Sequence, residues 1–488
     1  MTRFKQIIGL CSLLFVALYG KAETVDYLKA CWNKQVKPLH GKYFSFSYKE
    51  KLHELEHNFE PWQQSAYDIH GTIWINRNDF FKTDTLIGNG NDKQYFSKTQ
   101  IDGSQLLLLD YGDKDLFPVT QKMFFDRLIK SARYMPFLLR HYFTLQKSLA
   151  EKESNPEFSV YTINLNRTII KLFIRKKDKL VFKIEMLDDD ELFGDVISSF
   201  TYKNYTIVDK IQYPMLVEIE KINGKLKDEV IVFNATTTKD IKPLLAIPAN
   251  YQMKEAEEIK PVLNTEHYSK NIHFVELKHS DDKVMIVEFK DFLLVAEAPL
   301  NSSNGELIIQ EARKIAPGKP IKYFVFGHHH PHYLGGLRPF IHKEATVLCT
   351  PFNKDYVSYI AKAPHTLNPD SLQIQPKDLK AEEIQEGKTI TDGDFEMKIY
   401  LIGKQSEHTN DYLIYYFPKE KLVFEDDLVW IPKQGIIKKA GKRQLGLYAA
   451  IRSFDLDVKT IIQSWPVADF GVKTIIPFED LEKSVTIK

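Results

Sequence analysis

Around residues 253–261 the hydrophobic rhythm of the chain changes, and no single fold accommodates both sides. Before that point run short aromatic or β-branched segments, among them "HGTIWINRNDFFKTDTLI", "FSVYTINLN", "TIIKLFIRKK", "KLVFKIEML" and "DEVIVFNATT". Turn signals such as "NGND", "DGS" and "NGK" lie between or beside them, which is the pattern of a mainly antiparallel β region. One stretch departs from it: "QKMFFDRLIKSARYMPFLLRHYFTLQKSLAEKE" spaces its apolar residues as a helix does, with a kink expected at Pro136. After the break, "IHFVELK", "KVMIVEFK" and "FLLVAEAP" read as three strands in succession. "GELIIQEARKIA" then reads as a helix and "IKYFVFG" as a buried strand. Strands alternating with helices predict a layered α/β unit.

At 488 residues the chain exceeds one ordinary core. The reading is a signal segment at 1–22, a β-rich unit at 23–252, a charged linker at 253–261 and an α/β unit at 262–488. The first segment has a basic start at Arg3 and Lys5, an apolar core "IIGLCSLLFVALYG" and small residues ending at Ala22. That core is short for a bilayer span, so export to a periplasm or the exterior is expected, without a stable membrane anchor after cleavage. Losing Arg3, Lys5 and Lys21 leaves 63 basic against 65 acidic residues, a net charge of −2, which gives no footprint for nucleic acid. Cys31 and Cys349 would remain. An oxidising compartment permits a disulfide, but nothing in the sequence brings the two together.

The β-rich unit could wrap an apolar ligand or simply fill its own core with aromatics. The α/β unit carries the chemistry. In "FGHHHPHYLGG" four histidines, His328, His329, His330 and His332, follow a buried strand directly. Alternate residues of an extended segment share a face, so His328, His330 and His332 are expected to point one way and His329 the other. Imidazoles so spaced at a sheet edge suit a transition metal; a solvated polar loop is the plainer alternative.

This loop, its strand and the following glycines resemble the metallo-β-lactamase superfamily, whose signature is His-x-His-x-Asp-His followed by Gly-Gly. His328 and His330 match the first two ligands, while His332 falls at the Asp position and Tyr333 at the next His. "SEHTNDYLIYYFPKEKLVFEDDLVW" is similar to the family's later block: His408 matches the third histidine, Asp427 the metal-bridging aspartate, and Asp426 replaces a glycine. Where the family ends on a histidine ligand, "IIPFED" offers Glu479, and no histidine follows His408. Glu297 lies where a carboxylate often supports the metal loop. The resemblance covers about residues 262–488 and implies an αββα sandwich. The β-rich unit, with its ending "IKPLLAIPANYQM", more loosely resembles periplasmic lipoprotein-carrier half-barrels.

By activity, the resemblance implies an exported hydrolase acting on a small-molecule ester, thioester, lactone or amide. His328, His330 and His408 would hold one zinc, with Asp427 close by. Alternatively His332, Asp427 and Glu479 would build a second site, a set that suits iron or manganese as well as zinc, or the site has decayed and holds no metal. His332, Asp427 and Tyr333 are the candidate catalytic groups, and the run Lys433, Lys438, Lys439, Lys442 and Arg443 either receives an anion or is merely solvated. The contrasting expectation is a non-catalytic carrier of an apolar ligand with a degenerate metal site.

Overall fold

The computed structural model describes residues 26–55, 58–76, 80–87, 94–102, 105–109, 115–118, 129–139, 151–165, 167–239, 252–253 and 260–487. The expected export segment at 1–22, most of the helix-spaced stretch, most of "IKPLLAIPANYQM" and most of the charged linker lie outside them. Among the described residues no helix is long and apolar enough to cross a membrane.

The N-terminal strands form one 14-stranded sheet. From one edge it runs through Gln252–Met253, Asp115–Pro118, Gln105–Leu109, Gln94–Asp102, Phe80–Ile87, Ser65–Ile75 and Tyr43–Glu54. It continues through Leu226–Thr238, Ile211–Lys221, Gly194–Val208, Leu180–Asp190, Thr168–Arg175 and Phe158–Leu165 to Glu151–Ser154. Every pairing is antiparallel except the first, between Gln252–Met253 and Asp115–Pro118. Strict alternation marks its central strands. Along Thr168–Arg175 every second residue is buried, so Ile170, Leu172 and Ile174 face the core. The segment 129–139 covers that face: Tyr134, Met135, Phe137 and Leu138 pack into the same cluster as Phe44, Phe46 and Tyr48. At Pro136 a short 3-10 turn begins, where the sequence predicted a kink.

The C-terminal half is the αββα sandwich that the motif resemblance implied. One sheet holds seven strands, from Leu263–His267 to Lys380–Glu383, antiparallel for its first four strands and parallel thereafter. The second holds six, from Gly387–Thr391 to Ile475–Pro477. Phe274, Met285 and Leu294 of the first sheet interleave with Met397, Tyr415 and Phe424 of the second in one buried layer. Helices Ser302–Ile315, Leu337–His342 and Lys354–Lys362 cover the outer face of the first sheet; Lys442–Ser453 and Phe478–Thr486 cover that of the second. Ser302–Ile315 starts at Asn301, whose side chain accepts the Asn304 N–H at 3.1 Å.

The two halves share a core. Leu192 and Phe193, from the turn between Leu180–Asp190 and Gly194–Val208, and Val196, at the start of the latter strand, lie in one cluster with Ile308, Phe340 and Val357 of the sandwich. Trp62, on the connection between Tyr43–Glu54 and Ser65–Ile75, stacks on Phe193 at 5.5 Å and meets Tyr356 and Tyr359 edge-on, both at 4.9 Å. Asp195 ties the seam with polar bonds. Its carboxylate accepts the N–H groups of Thr366 (2.8 Å) and Leu367 (3.1 Å).

Candidate metal centre

The strand Ile321–Val325 ends in the buried core, and Gly327 to His330 emerge from its C-terminal edge between the two sheets. The expected alternation holds for the first three histidines only. His328 and His330 turn to one side, with ring centroids 4.4 Å apart, and His329 turns to Asp411. Pro331 then starts a short helix, Pro331–Leu334, a position where its fixed φ and missing N–H cost nothing. That turn carries His332 off the line. Its Nδ1 lies 3.0 Å from the buried Asp282 carboxylate and its side chain is 34% exposed.

His408 reaches the same point from the second sheet's side. It follows a 3-10 turn, Gly403–Ser406, and the Ser406 hydroxyl oxygen accepts the N–H groups of His408 (3.1 Å) and Thr409 (3.2 Å). The rings of His328 and His330 stand 4.7 and 4.9 Å from that of His408. One nitrogen from each of the three lies within 4.8 Å of the others, and all three residues are buried. Among the described residues no other group of three His, Cys, Asp or Glu meets that condition.

Which nitrogens converge is fixed by what holds the opposite ones. His328 Nδ1 is 2.6 Å from Asp426 Oδ2, leaving Nε2 to face His330 Nδ1 at 2.9 Å. His330 Nε2 is 2.9 Å from the backbone carbonyl of Asn58, on the large sheet's connection. Burial lowers His328 well below the usual imidazole value and His330 to about 3, with neighbouring imidazoles adding to both effects. Two neutral rings therefore aim lone pairs at one point, the arrangement a first-row divalent metal needs. The residues fit such an ion.

Around the triad lies a ring of carboxylates. Asp427 Oδ2 is 3.2 Å from His408 Nε2 and accepts from Arg443 at 3.3 Å, while the Tyr412 hydroxyl is 3.4 Å from Oδ1. Burial alone would raise its carboxyl, but His408 and Arg443 outweigh it and keep the group ionised. Glu297 accepts the Gly327 N–H at 3.1 Å and the Tyr415 hydroxyl at 2.8 Å, supporting the loop's backbone as its position in sequence suggested. Burial pushes Glu297 up to about 8 and raises the neighbouring Asp426 well above the carboxylate range.

The remaining candidates are held by other contacts. Tyr333 is buried with its ring 4.3 Å from that of His328, in the role of a packing partner. Glu479 projects from the start of helix Phe478–Thr486, 69% exposed, and pairs with Lys483 at 3.5 Å. Of the basic run, Arg443 turns inward to Asp427, and Lys433 pairs with Asp469 on the surface. Cys31 and Cys349 are buried free thiols.

Asp426, Tyr412 and Asn58 were not singled out as site residues from the sequence. For Asp426 a signal existed, a second aspartate beside Asp427. Tyr412, whose ring stacks on His328 at 4.9 Å and whose hydroxyl oxygen accepts the N–H groups of Asp426 and Asp427, sits in the later motif block. Asn58 has no signal, because a backbone carbonyl from a distant strand connection leaves no mark on composition or spacing.

No family model matches the chain, and no curated protein matches it. Solved structures do. A metallo-β-lactamase from Pontibacter korlensis aligns at 15% identity over 46% of this chain and 98% of its own, with a TM-score of 0.34. A metallo-β-lactamase from Pseudomonas aeruginosa, solved in its mono-zinc form, aligns at 17% identity over 47% of this chain and 96% of its own, TM-score 0.34. A flavoprotein from Thermotoga maritima aligns at 13% identity over 46% of this chain and 61% of its own, TM-score 0.32.

Proposed function

We propose that this chain is an exported hydrolase using one divalent metal ion, zinc foremost, held by His328, His330 and His408. The reading is carried by the convergence of three buried imidazole nitrogens within 4.8 Å, two of them with the opposite ring nitrogen already held by an oxygen. An ion bound there supplies a Lewis acid and lowers the pKa of a coordinated water to ~7.

The remaining work falls to the chain. Asp426 holds the His328 ring by Nδ1, and the Asn58 carbonyl holds the His330 ring by Nε2, so both present a fixed nitrogen inward. Asp427 is the base: its ionised carboxylate takes a proton at Oδ2 and is oriented by Arg443 and Tyr412. Tyr333 and Tyr412 close the sides of His328 and keep bulk water from it. Substrates suited to this set are carbonyl compounds, that is esters, thioesters, lactones or amides. One site is favoured over two, because His332 is engaged with Asp282 and Glu479 with Lys483.

His408→Ala removes a ligand while leaving Asp427 its Arg443 contact. Hydrolysis across a panel of chromogenic esters and thioesters should fall by about 10³-fold or more, since the Lewis acid and nucleophile are lost together, with the melting curve retained. Full activity in that variant rules out this site as the catalyst.

A further inference from the structure

Two loops beyond the candidate metal centre meet edge to edge. The first, residues 428–441, leads from Asp427 to helix Lys442–Ser453; the second, residues 464–474, follows strand Thr460–Gln463. Pro432 and Val472 form an antiparallel bridge. Beside it the Lys433 N–H donates to the Gly471 carbonyl and the Lys473 N–H to the Ile431 carbonyl, both at 2.8 Å. Ile431 and Ile437 pack into the core below, and the Ala440 N–H donates to the Ser484 carbonyl at 2.9 Å, so the first loop is braced along its length.

The side chains these loops hold outward are apolar. Trp430, Trp465 and Phe470 form a row with ring centroids 5.4 and 5.7 Å apart, yet Trp430 is 41% and Phe470 56% exposed. Ile436 follows Gly435, whose φ of 89° makes the turn, and is 89% exposed. Single exposed apolar residues are ordinary, but three large ones on two braced loops mark a contact surface.

The charge around them has one sign. Residues 428–443 carry five basic side chains and no acid. Acids close by are already taken: Asp427 by Arg443, Asp469 by Lys433, Asp480 by Lys473 and Glu479 by Lys483. Lys438, Lys439 and Lys442 are exposed and form no ion pair among the described residues. Chain length alone keeps Lys438 and Lys439 within about 11 Å of Ile436.

Shape then selects the partner. A small anion is held in a concavity, and a protein partner's anchors fill pockets in an interface depleted of lysine. Here the apolar groups stand on projecting loops with unpaired ammonium groups beside them. That combination suits an anionic bilayer, whose headgroup boundary takes the rings and whose phosphates take the charge.

We propose that loops 428–441 and 464–474 dock this chain on an anionic lipid bilayer. Trp430, Ile436 and Phe470 enter the headgroup boundary, and Lys438, Lys439 and Lys442 lie over the phosphates. Trp430 follows Asp427 by three residues, so docking brings the bilayer's edge to within about 11 Å of the candidate base along the chain. That substrate then comes from the lipid layer rests on the hydrolase reading; docking does not.

The test follows hydrogen exchange in the full-length protein with vesicles of phosphatidylcholine, alone or with about one-third phosphatidylglycerol to supply surface charge. Protection of residues 428–441 and 464–474 is expected with the anionic vesicles, and it should fade as salt is raised. Two double variants at exposed positions, Ile436→Ser/Phe470→Ser and Lys438→Glu/Lys439→Glu, should each raise the lipid concentration for half-protection at least tenfold. For the lysines this follows from about fivefold per charge lost. Protection confined elsewhere, equal protection by phosphatidylcholine alone, or unchanged protection in both folded variants overturns the proposal. Protection of the same loops by glycerol phosphate would make them a small-anion site. Protection that grows with protein concentration without lipid would make them an interface between copies. Either result overturns docking on a bilayer. None of these readouts uses activity, so failure of the hydrolase reading leaves docking intact.

Discussion

Asp426 occupies the position of a glycine in the resembled pattern, and Gly327 makes room for it. A Cβ on Gly327 would overlap the Asp426 carboxylate. The space missing on one strand end has been supplied on the other, and the carboxylate that fills it holds His328. Gly327→Ala should cost about 1–3 kcal/mol, the usual scale of overpacking, and pairing it with Asp426→Gly should recover part of that in thermal melts. No recovery would mean that the clash lies elsewhere. Asp426→Ala should weaken metal binding about 10–100-fold, the range for lost second-sphere partners, as measured by competition with a chromophoric chelator. Cys31 and Cys349 are the opposite case, residues with no part in the proposed chemistry. Burial pushes Cys31 up to about 12 and Cys349 up to about 11. Both should therefore stay unreactive to a disulfide reagent at pH 8 until the chain is unfolded.

Element by element, the parts that position the metal loop are secured by polar anchors. Arg338, on helix Leu337–His342, donates to the carbonyls of Ile360, Ala361 and Ala363, each at 3.0 Å, and to Asp370 at 2.6 and 3.1 Å. That helix follows the histidine turn at once, so the anchor steadies the loop from behind. Burial alone would raise the Asp370 carboxyl, but Arg338, the Gln373 N–H and Ser302 outweigh it and hold it at about 2 against an ordinary 3.8. A carboxyl lowered on folding stabilises the native state above its unfolded pKa, and that contribution is lost as pH falls toward the folded value. Asp370→Ala should cost about 3–5 kcal/mol at pH 7, the scale for breaking a buried pair. The gap to the unmutated protein should narrow between pH 4 and pH 2. A gap independent of pH would mean that the ion pair contributes nothing there.

Across the whole molecule, legibility tracks distance along the chain. Strands Ile272–Leu277, Asp282–Glu288 and Leu293–Ala296, helix Ser302–Ile315 and strand Ile321–Val325 were readable because their periodicity is local. The three histidines were readable because motif spacing carries them. The carbonyl of Asn58 on His330, and the burial of Trp62 against Phe193, Tyr356 and Tyr359, were not, since such contacts exist only once two distant surfaces meet. The same contacts make the large sheet part of the candidate metal centre rather than an appendage. Trp62→Ala should therefore cost at least about 2 kcal/mol, as truncated interface anchors do. It should also split one thermal transition into two, whereas an unchanged single transition would show that the halves hold together without it.

An ion held by the three imidazoles is the premise of all the chemistry proposed for this chain. Elemental mass spectrometry of the purified protein, beside a His328→Ala/His330→Ala double variant, measures this without any assumed substrate. The prediction is about one metal ion per chain, in line with one three-histidine site, and none in the variant. No metal after incubation with zinc, iron and manganese, or equal metal in both proteins, would contradict it.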